Sequence, residues 1–357
     1  MLALRLARGA RPLVQLRRLL VAAASAGTGF LLLYVLAGAV ARAAGSFPRL
    51  LWALIPLAAT VHFAVAVARA DPATRPREGL DAAGLGPVRL MLVAVISTAV
   101  ACALGSALAL AAFLHLRGDL AGLPFDGAGA GLLHAGQPLP VAAALTLLAL
   151  VPLAASAATA LALRPHTPPA PQTRLPWGIA LTACGLAALA YTGRGGAAML
   201  VGWSLTAVGL ALAGPGLTYA CGSLVQALRP GGLRLLAGRA LQEEAPRIGP
   251  PLGALCSVGA GALTALALHD RGGLDVPLGP LTGPAAGLVA LCAIATLLTS
   301  SVEARQRRAA EREALRDLGA SAKVLRTAAS LRATALVAVC VPLSWGVAQL
   351  TSMALTR

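Results

Sequence analysis

Four stretches of this chain run without a single Asp, Glu, Lys or Arg: Leu19–Ala41, Leu50–Ala68, Leu90–Leu116 and Ala333–Thr356. Each exceeds the roughly 18 residues that suffice to cross the hydrocarbon core of a bilayer as a helix. In lipid every backbone N–H and C=O must be paired internally, and uninterrupted apolar runs of this length do so as helices. Charged residues make up only 12% of the 357 positions, against about 25% in soluble domains, too few to cover a water-facing surface. The expected fold class is therefore all-α, a polytopic transmembrane helical bundle.

Charge breaks define the remaining spans. Beyond the runs at Leu19–Ala41, Leu50–Ala68 and Leu90–Leu116, they predict helices over Val141–Leu163 and Pro176–Thr192. A sixth begins near Ala197, with Gly214-Pro215-Gly216 expected to kink or end it. Three more follow at Pro251–Leu268, Leu281–Ser300 and Ala333–Met353. The total is about nine spans, within a range of eight to ten.

Arg5, Arg8, Arg11, Arg17 and Arg18 crowd the N-terminus and lead into the uncharged run Leu19–Ala41. A signal peptide has an apolar stretch of only about 7–15 residues, so an uncleaved span with a cytoplasmic N-terminus is expected. That orientation puts 23 of the 29 basic residues in segments 1–18, 69–89, 164–176, 229–250 and 301–332, the bias of cytoplasmic loops. The expected location is the cell (plasma) membrane. A formal charge of +16 would also suit a nucleic-acid binder. Sorting of the charge by loop, and aromatics at only 3%, leave no stacking platform for bases. Nucleic acid is excluded as a partner.

Residues for chemistry are scarce. Cys102, Cys184, Cys221, Cys256, Cys292 and Cys340 all lie in apolar segments without CxxC spacing, and read as small hydrophobes with no metal or redox role. The one lysine, Lys323, stands in Ser-Ala-Lys-Val, so the chain has no Walker A loop, and HExxH and GxSxG are absent too. No catalytic, cofactor-binding or metal-binding residue is expected, and the chain does not read as an enzyme. His62 is the one ionisable residue well inside a span; a neutral imidazole at a helix interface is expected there, since buried charge in lipid is costly.

Two cytoplasmic segments repeat at one constant offset, which carries Arg77 onto Arg312 and Leu90 onto Leu325. The first runs from Arg77-Glu78-Gly79-Leu80 through Gly84 to Leu90, and the second from Arg312-Glu313-Ala314-Leu315 through Gly319 to Leu325. Five of fourteen positions are identical. The same offset lays the first, second and third spans on the seventh, eighth and ninth. Each copy reads as a short helix that ends at Gly84 or Gly319, which suit the left-handed position past a helix end. A new start follows two residues later, where Gly86 and Ser321 suit an N-cap. The organisation expected is a first repeat over 1–165, a middle helix pair over 166–228 and a second repeat over 229–357.

At Glu311-Arg312-Glu313-Ala314-Leu315-Arg316-Asp317-Leu318-Gly319-Ala320-Ser321 the chain resembles the FtsX-like permease family, membrane subunits of ABC transporters that include the MacB type. Glu78 to Gly86 is a degraded copy of the same pattern. Leu235–Leu241 resembles the amphipathic helix that leads into the family's second half. The resemblance implies a partner pair of cytoplasmic ABC ATPase subunits, with Arg77, Glu78, Gly84, Arg312, Glu313, Leu315 and Gly319 in the coupling elements that touch them. It also implies export of peptides, lipids or similar amphipathic substrates, contact with membrane lipid and, in a degenerate subunit, a second permease. Three features depart from the family: nine spans rather than ten, no large outside domain, and no basic cluster in the first coupling segment. An ATP-independent secondary transporter and a non-transporting structural or signalling subunit are the alternatives.

Overall fold

The computed structural model describes residues 12–41, 46–71, 87–120, 124–164, 171–192, 196–227, 231–269, 281–307, 313 and 322–356. Among them are nine helices and no strand: α1 (Pro12–Ala41), α2 (Ser46–Ala70), α3 (Pro87–Arg117), α4 (Val141–Leu163), α5 (Pro171–Thr192), α6 (Gly196–Ala227), α7 (Gly232–His269), α8 (Thr282–Arg307) and α9 (Ala322–Thr356). All but α5 are long and apolar enough to cross a membrane; the apolar part of α5, Leu175–Tyr191, has 17 residues. The chain is a multi-span helical membrane protein. It divides into two compact units, Met1–His166 with Pro280–Cys292, and Thr167–Gly279 with Ala293–Arg357.

In the first unit α1 and α3 lie side by side and run the same way. Gly105 on α3 presents bare backbone to the Ala22 carbonyl, and a methyl there would collide with it. One turn away Ser25 Oγ donates to the Cys102 carbonyl at 2.8 Å. Further along, Leu33, Ala37, Ala109, Phe113, Ala144 and Leu148 close a core shared with α4, and Phe30 meets Phe113 edge-on at 5.5 Å. α2 runs antiparallel to α1. Leu32, Ala53, Leu57 and Val151 fill their junction with α4, and the buried hydroxyls of Thr28 and Thr60 share a hydrogen bond of 2.7 Å.

The second unit is built on small residues. Gly178, Thr182, Gly185 and Leu189 of α5 lie against Ala213, Gly209, Thr206 and Gly202 of α6 in antiparallel register. Such spacing lets backbones approach where lipid supplies no hydrophobic drive between helices. α6 then packs on α7 just as tightly, through Gly214 on Gly249 and Gly222 on Gly238. α7 and α9 run in parallel, joined by Val225, Ala237 and Ala328 at one end, by Leu210, Ala260 and Val347 in the middle, and by Leu189, Leu268 and Leu355 at the other. Most buried threonines bond to their own helix, as Thr206 does to the Gly202 carbonyl at 2.8 Å and Thr264 to the Ala260 carbonyl at 2.8 Å.

Of the outcomes expected at Gly214-Pro215-Gly216, α6 does not end there, and the two glycines carry close contacts with α5 and α7 on either side of Pro215. Two expectations are corrected. α7 begins at Gly232, well before the predicted Pro251, and contains Pro246, Pro250 and Pro251. Its first half buries Ala237, Ala240, Leu241 and Ala245, a helical stripe whose packing outweighs the lost N–H donors. The second correction concerns His62, whose side chain is exposed on the surface of α2.

Candidate functional site

The residues of interest gather where the helices end in charge. In the first unit Arg18, near the start of α1, reaches Asp71 at the end of α2, with 2.7 Å between guanidinium and carboxylate and the Asp71 side chain only 12% exposed. Nearby, Arg69 donates to the Ala162 carbonyl at 3.4 Å and ties α2 to the end of α4. Asp71 is followed directly by the segment that carries Arg77, Glu78 and Gly84. The ion pair therefore fastens the root of that segment to α1.

In the second unit the corresponding ends are longer. α7 has 38 residues and α9 has 35, about 57 and 52 Å at 1.5 Å per residue, well beyond a hydrocarbon core of about 30 Å. The charged N-terminal parts therefore extend past the hydrocarbon. There Val225, Ala237 and Ala328 pack with Leu233, Leu331 and Ala335, and Arg332 on α9 lies 3.7 Å from Glu244 on α7, both side chains under a fifth exposed. Arg239, Glu243, Arg247, Lys323 and Arg326 stand exposed around this clamp. Glu303, near the end of α8, is buried. The second repeated segment lies between α8 and α9 along the chain.

Of the seven sequence-predicted coupling residues, Glu313 is helical and exposed. Arg77, Glu78, Gly84, Arg312, Leu315 and Gly319 lie outside the described residues. The ion pairs at these helix ends had no sequence signal, since Arg18 and Asp71, like Glu244 and Arg332, stand far apart along the chain. No group of three or more His, Cys, Asp and Glu side chains suited to a metal occurs among the described residues.

At the other end of the first unit, the connection between α3 and α4 folds back on the helices. Arg117 is 5% exposed, paired with Asp119 at 3.2 Å and donating to the Gln137 carbonyl. Phe125 and His134 adopt left-handed backbone there, φ 69° and 53°, which is uncommon for residues with a Cβ. Leu133 is drawn into the α1–α3–α4 core. The loop acts as a lid on the helix ends, with no constellation for covalent chemistry among its described residues.

The charged ends are thus fastened between helices, α2 to α1 by Asp71 and Arg18 and α7 to α9 by Glu244 and Arg332. No family model, no curated protein and no solved structure matches this chain.

Proposed function

We propose that the chain is the permease subunit of an ABC transporter of the FtsX-like type, driven by a separate cytoplasmic ATPase pair. The observation that carries this reading is a recurrence. α3 begins at Pro87 and α9 at Ala322, the same spacing that separates Arg77 from Arg312, while α2 begins at Ser46 and α8 at Thr282, one position off it. In each half the first and third helices run parallel in contact, α1 with α3 and α7 with α9. In each half the Arg-Glu-x-Leu…Gly segment stands between the second and third helices. A duplicated span trio with a charged connector in the same place is what two ATPase contacts on one chain require.

In this reading Glu313 and Gly319, then Glu78 and Gly84, make the principal contacts, with Arg77, Arg312 and Leu315 beside them. Each Glu offers a charge-assisted hydrogen bond to a groove of the ATPase, and each Gly fixes the turn into the next span. Closure of the ATPases moves the connectors, and the parallel helix pairs carry the movement across the membrane. Outward-facing surfaces of large aliphatics, such as Leu104 and Leu108 on α3 or Val337 and Val341 on α9, are suited to lipid. The acidic residues described in the spans, Glu243 and Glu244 of α7 and Glu303 of α8, stand toward charged helix ends, and the apolar remainder suits an amphipathic, lipid-like or peptide substrate better than a small ion. In this reading the N-terminus lies in the cytoplasm and the bundle in the cell membrane, as the loop bias of the basic residues supports.

The test is purification of the full chain in mild detergent from its own host. An ATPase should co-purify in stoichiometric amount, and Glu313→Arg should release it while the permease keeps its melting temperature. Absence of any ATPase, together with unchanged transport by Glu313→Arg, would overturn the reading.

A further inference from the structure

The sequence has no CxxC motif, yet the second unit brings together two thiols that are 84 positions apart. The Cys256 thiol on α7 donates to the Cys340 carbonyl oxygen on α9 at 3.9 Å, which brings its sulfur to the backbone of the residue that bears the second thiol. One turn along α7, Gly259 faces Ser344 of α9, where a methyl would meet the hydroxyl at 3.8 Å, an ordinary contact distance. The parallel register of the two helices is held on both sides, by Arg332–Glu244 before the thiols and by Ala260 and Val347 after them.

The two thiols differ in access. Cys256 is 5% exposed and sits behind α9. Cys340 is half-buried, flanked by Val337 and Val341, each 60% exposed on the surface that meets the acyl chains. Measured from Glu244 along α7 and from Arg332 along α9, the pair stands about 12–18 Å from the clamp. An oxidant dissolved in the acyl-chain region reaches Cys340 first, and Cys256 stands ready behind it. Among the other cysteines, Cys102 and Cys292 are buried in the first unit, Cys184 is exposed on α5 and Cys221 is buried on α6.

We propose that Cys256 and Cys340 are an oxidation-sensitive dithiol, closed to a disulfide by lipid hydroperoxides and serving to lock α7 to α9. In the first step the hydroperoxide ROOH loses its O–O bond to Cys340: the thiol becomes a sulfenic acid and ROH leaves. In the second step the Cys256 sulfur displaces water from that sulfenic acid, and the S–S bond forms. Two thiols are oxidised by two electrons, and one peroxide is reduced to an alcohol and water. Thiol reductants reverse the lock by exchange. The site does not depend on the transport reading, because it needs only the α7–α9 contact.

The experiment uses the full chain in nanodiscs of unsaturated phosphatidylcholine, with cumene hydroperoxide as the apolar peroxide. After alkylation of free thiols and digestion, mass spectrometry should find the Cys256 and Cys340 peptides joined. The joined pair should disappear with dithiothreitol, in Cys256→Ala and in Cys340→Ala, and persist in Cys221→Ala and Cys184→Ala. Measurement on the unaltered chain keeps the result independent of whether the variants fold. Both thiols recovered as alkylated monomers after peroxide treatment, a bond from Cys340 to Cys221 instead, or Cys340 oxidised only to sulfinic acid would each overturn the proposal.

Discussion

Gly214 of α6 and Gly249 of α7 meet backbone to backbone: a methyl group on Gly214 would fall on the Gly249 carbonyl, and one on Gly249 would fall on Pro215. No side chain can rotate away to relieve such a contact. Gly214→Ala and Gly249→Ala should each cost about 1–3 kcal/mol through forced separation of the two helices. Gly287, with nothing within 4 Å of its missing Cβ, should behave oppositely, Gly287→Ala gaining about 0.5–1 kcal/mol from helix propensity. Melting curves of the three variants in one detergent check the sign as well as the size. Equal losses in all three would remove the α6–α7 contact from the account.

Thr28 and Thr60 make a hydroxyl pair between α1 and α2, both fully buried. Most other buried threonines bond back to their own helix, so this pair reports on tertiary contact. Thr28→Val should cost about 1 kcal/mol, near the range measured for hydrogen bonds between spans. Thr60 keeps a weaker partner, the Cys292 thiol at 3.9 Å, which limits the loss. The double variant Thr28→Val/Thr60→Val should cost less than the two single losses combined, since no hydroxyl is then stranded. A double-mutant cycle by unfolding in mixed micelles reads the coupling; strict additivity would mean that the bond is absent in the folded protein.

The spans were legible because uncharged length is a direct consequence of the bilayer, and Val141–Leu163 matches the helix end for end. The first half of α7 was legible only as the short string Leu235–Leu241, and its continuity with the span was not. Arg234, Arg239, Glu243, Glu244 and Arg247, together with Pro246, Pro250 and Pro251, carry the composition of a loop. The signal that does mark a helix is the stripe Ala237–Leu241–Ala245 at intervals of four, all buried, and small residues make such a stripe faint. Long-range pairs left no trace at all in the sequence. Asp71 and Glu244 look like ordinary loop acids until their arginines are found, and Cys256 and Cys340 look like two isolated hydrophobes.

α5 poses a question of topology, since its apolar stretch of 17 residues is short. Its contacts decide the matter. From Gly178 against Ala213 to Leu189 beside Gly202, α5 follows α6 in antiparallel register, about 16 Å of shared path at 1.5 Å per residue. A helix fastened so closely to a spanning neighbour has to cross with it. Reporter fusions placed after Arg164 and after Gly195 should therefore report opposite sides of the membrane. The same side for both would make α5 a surface helix and invert every span that follows.

Arg332 and Glu244 close the water-facing end of the α7–α9 pair at 3.7 Å, with both side chains under a fifth exposed. An ion pair at such a margin contributes about 1 kcal/mol at most, so Glu244→Gln should lower stability only slightly. Glu244→Arg is a stronger perturbation, since it sets two guanidiniums against each other over the Val225–Ala237–Ala328 cluster. The exchange Glu244→Arg/Arg332→Glu restores opposite charges across the same gap and should recover most of that loss. If the clamp also transmits movement from the second connector, Glu244→Arg should uncouple the ATPase, which stays bound through Glu313 but is no longer stimulated, and the exchange should restore stimulation. Melting temperature and ATPase rate, measured on the four proteins of the cycle, separate the two roles. Recovery of stability without recovery of rate would leave the pair a fastening of the helix ends and nothing more.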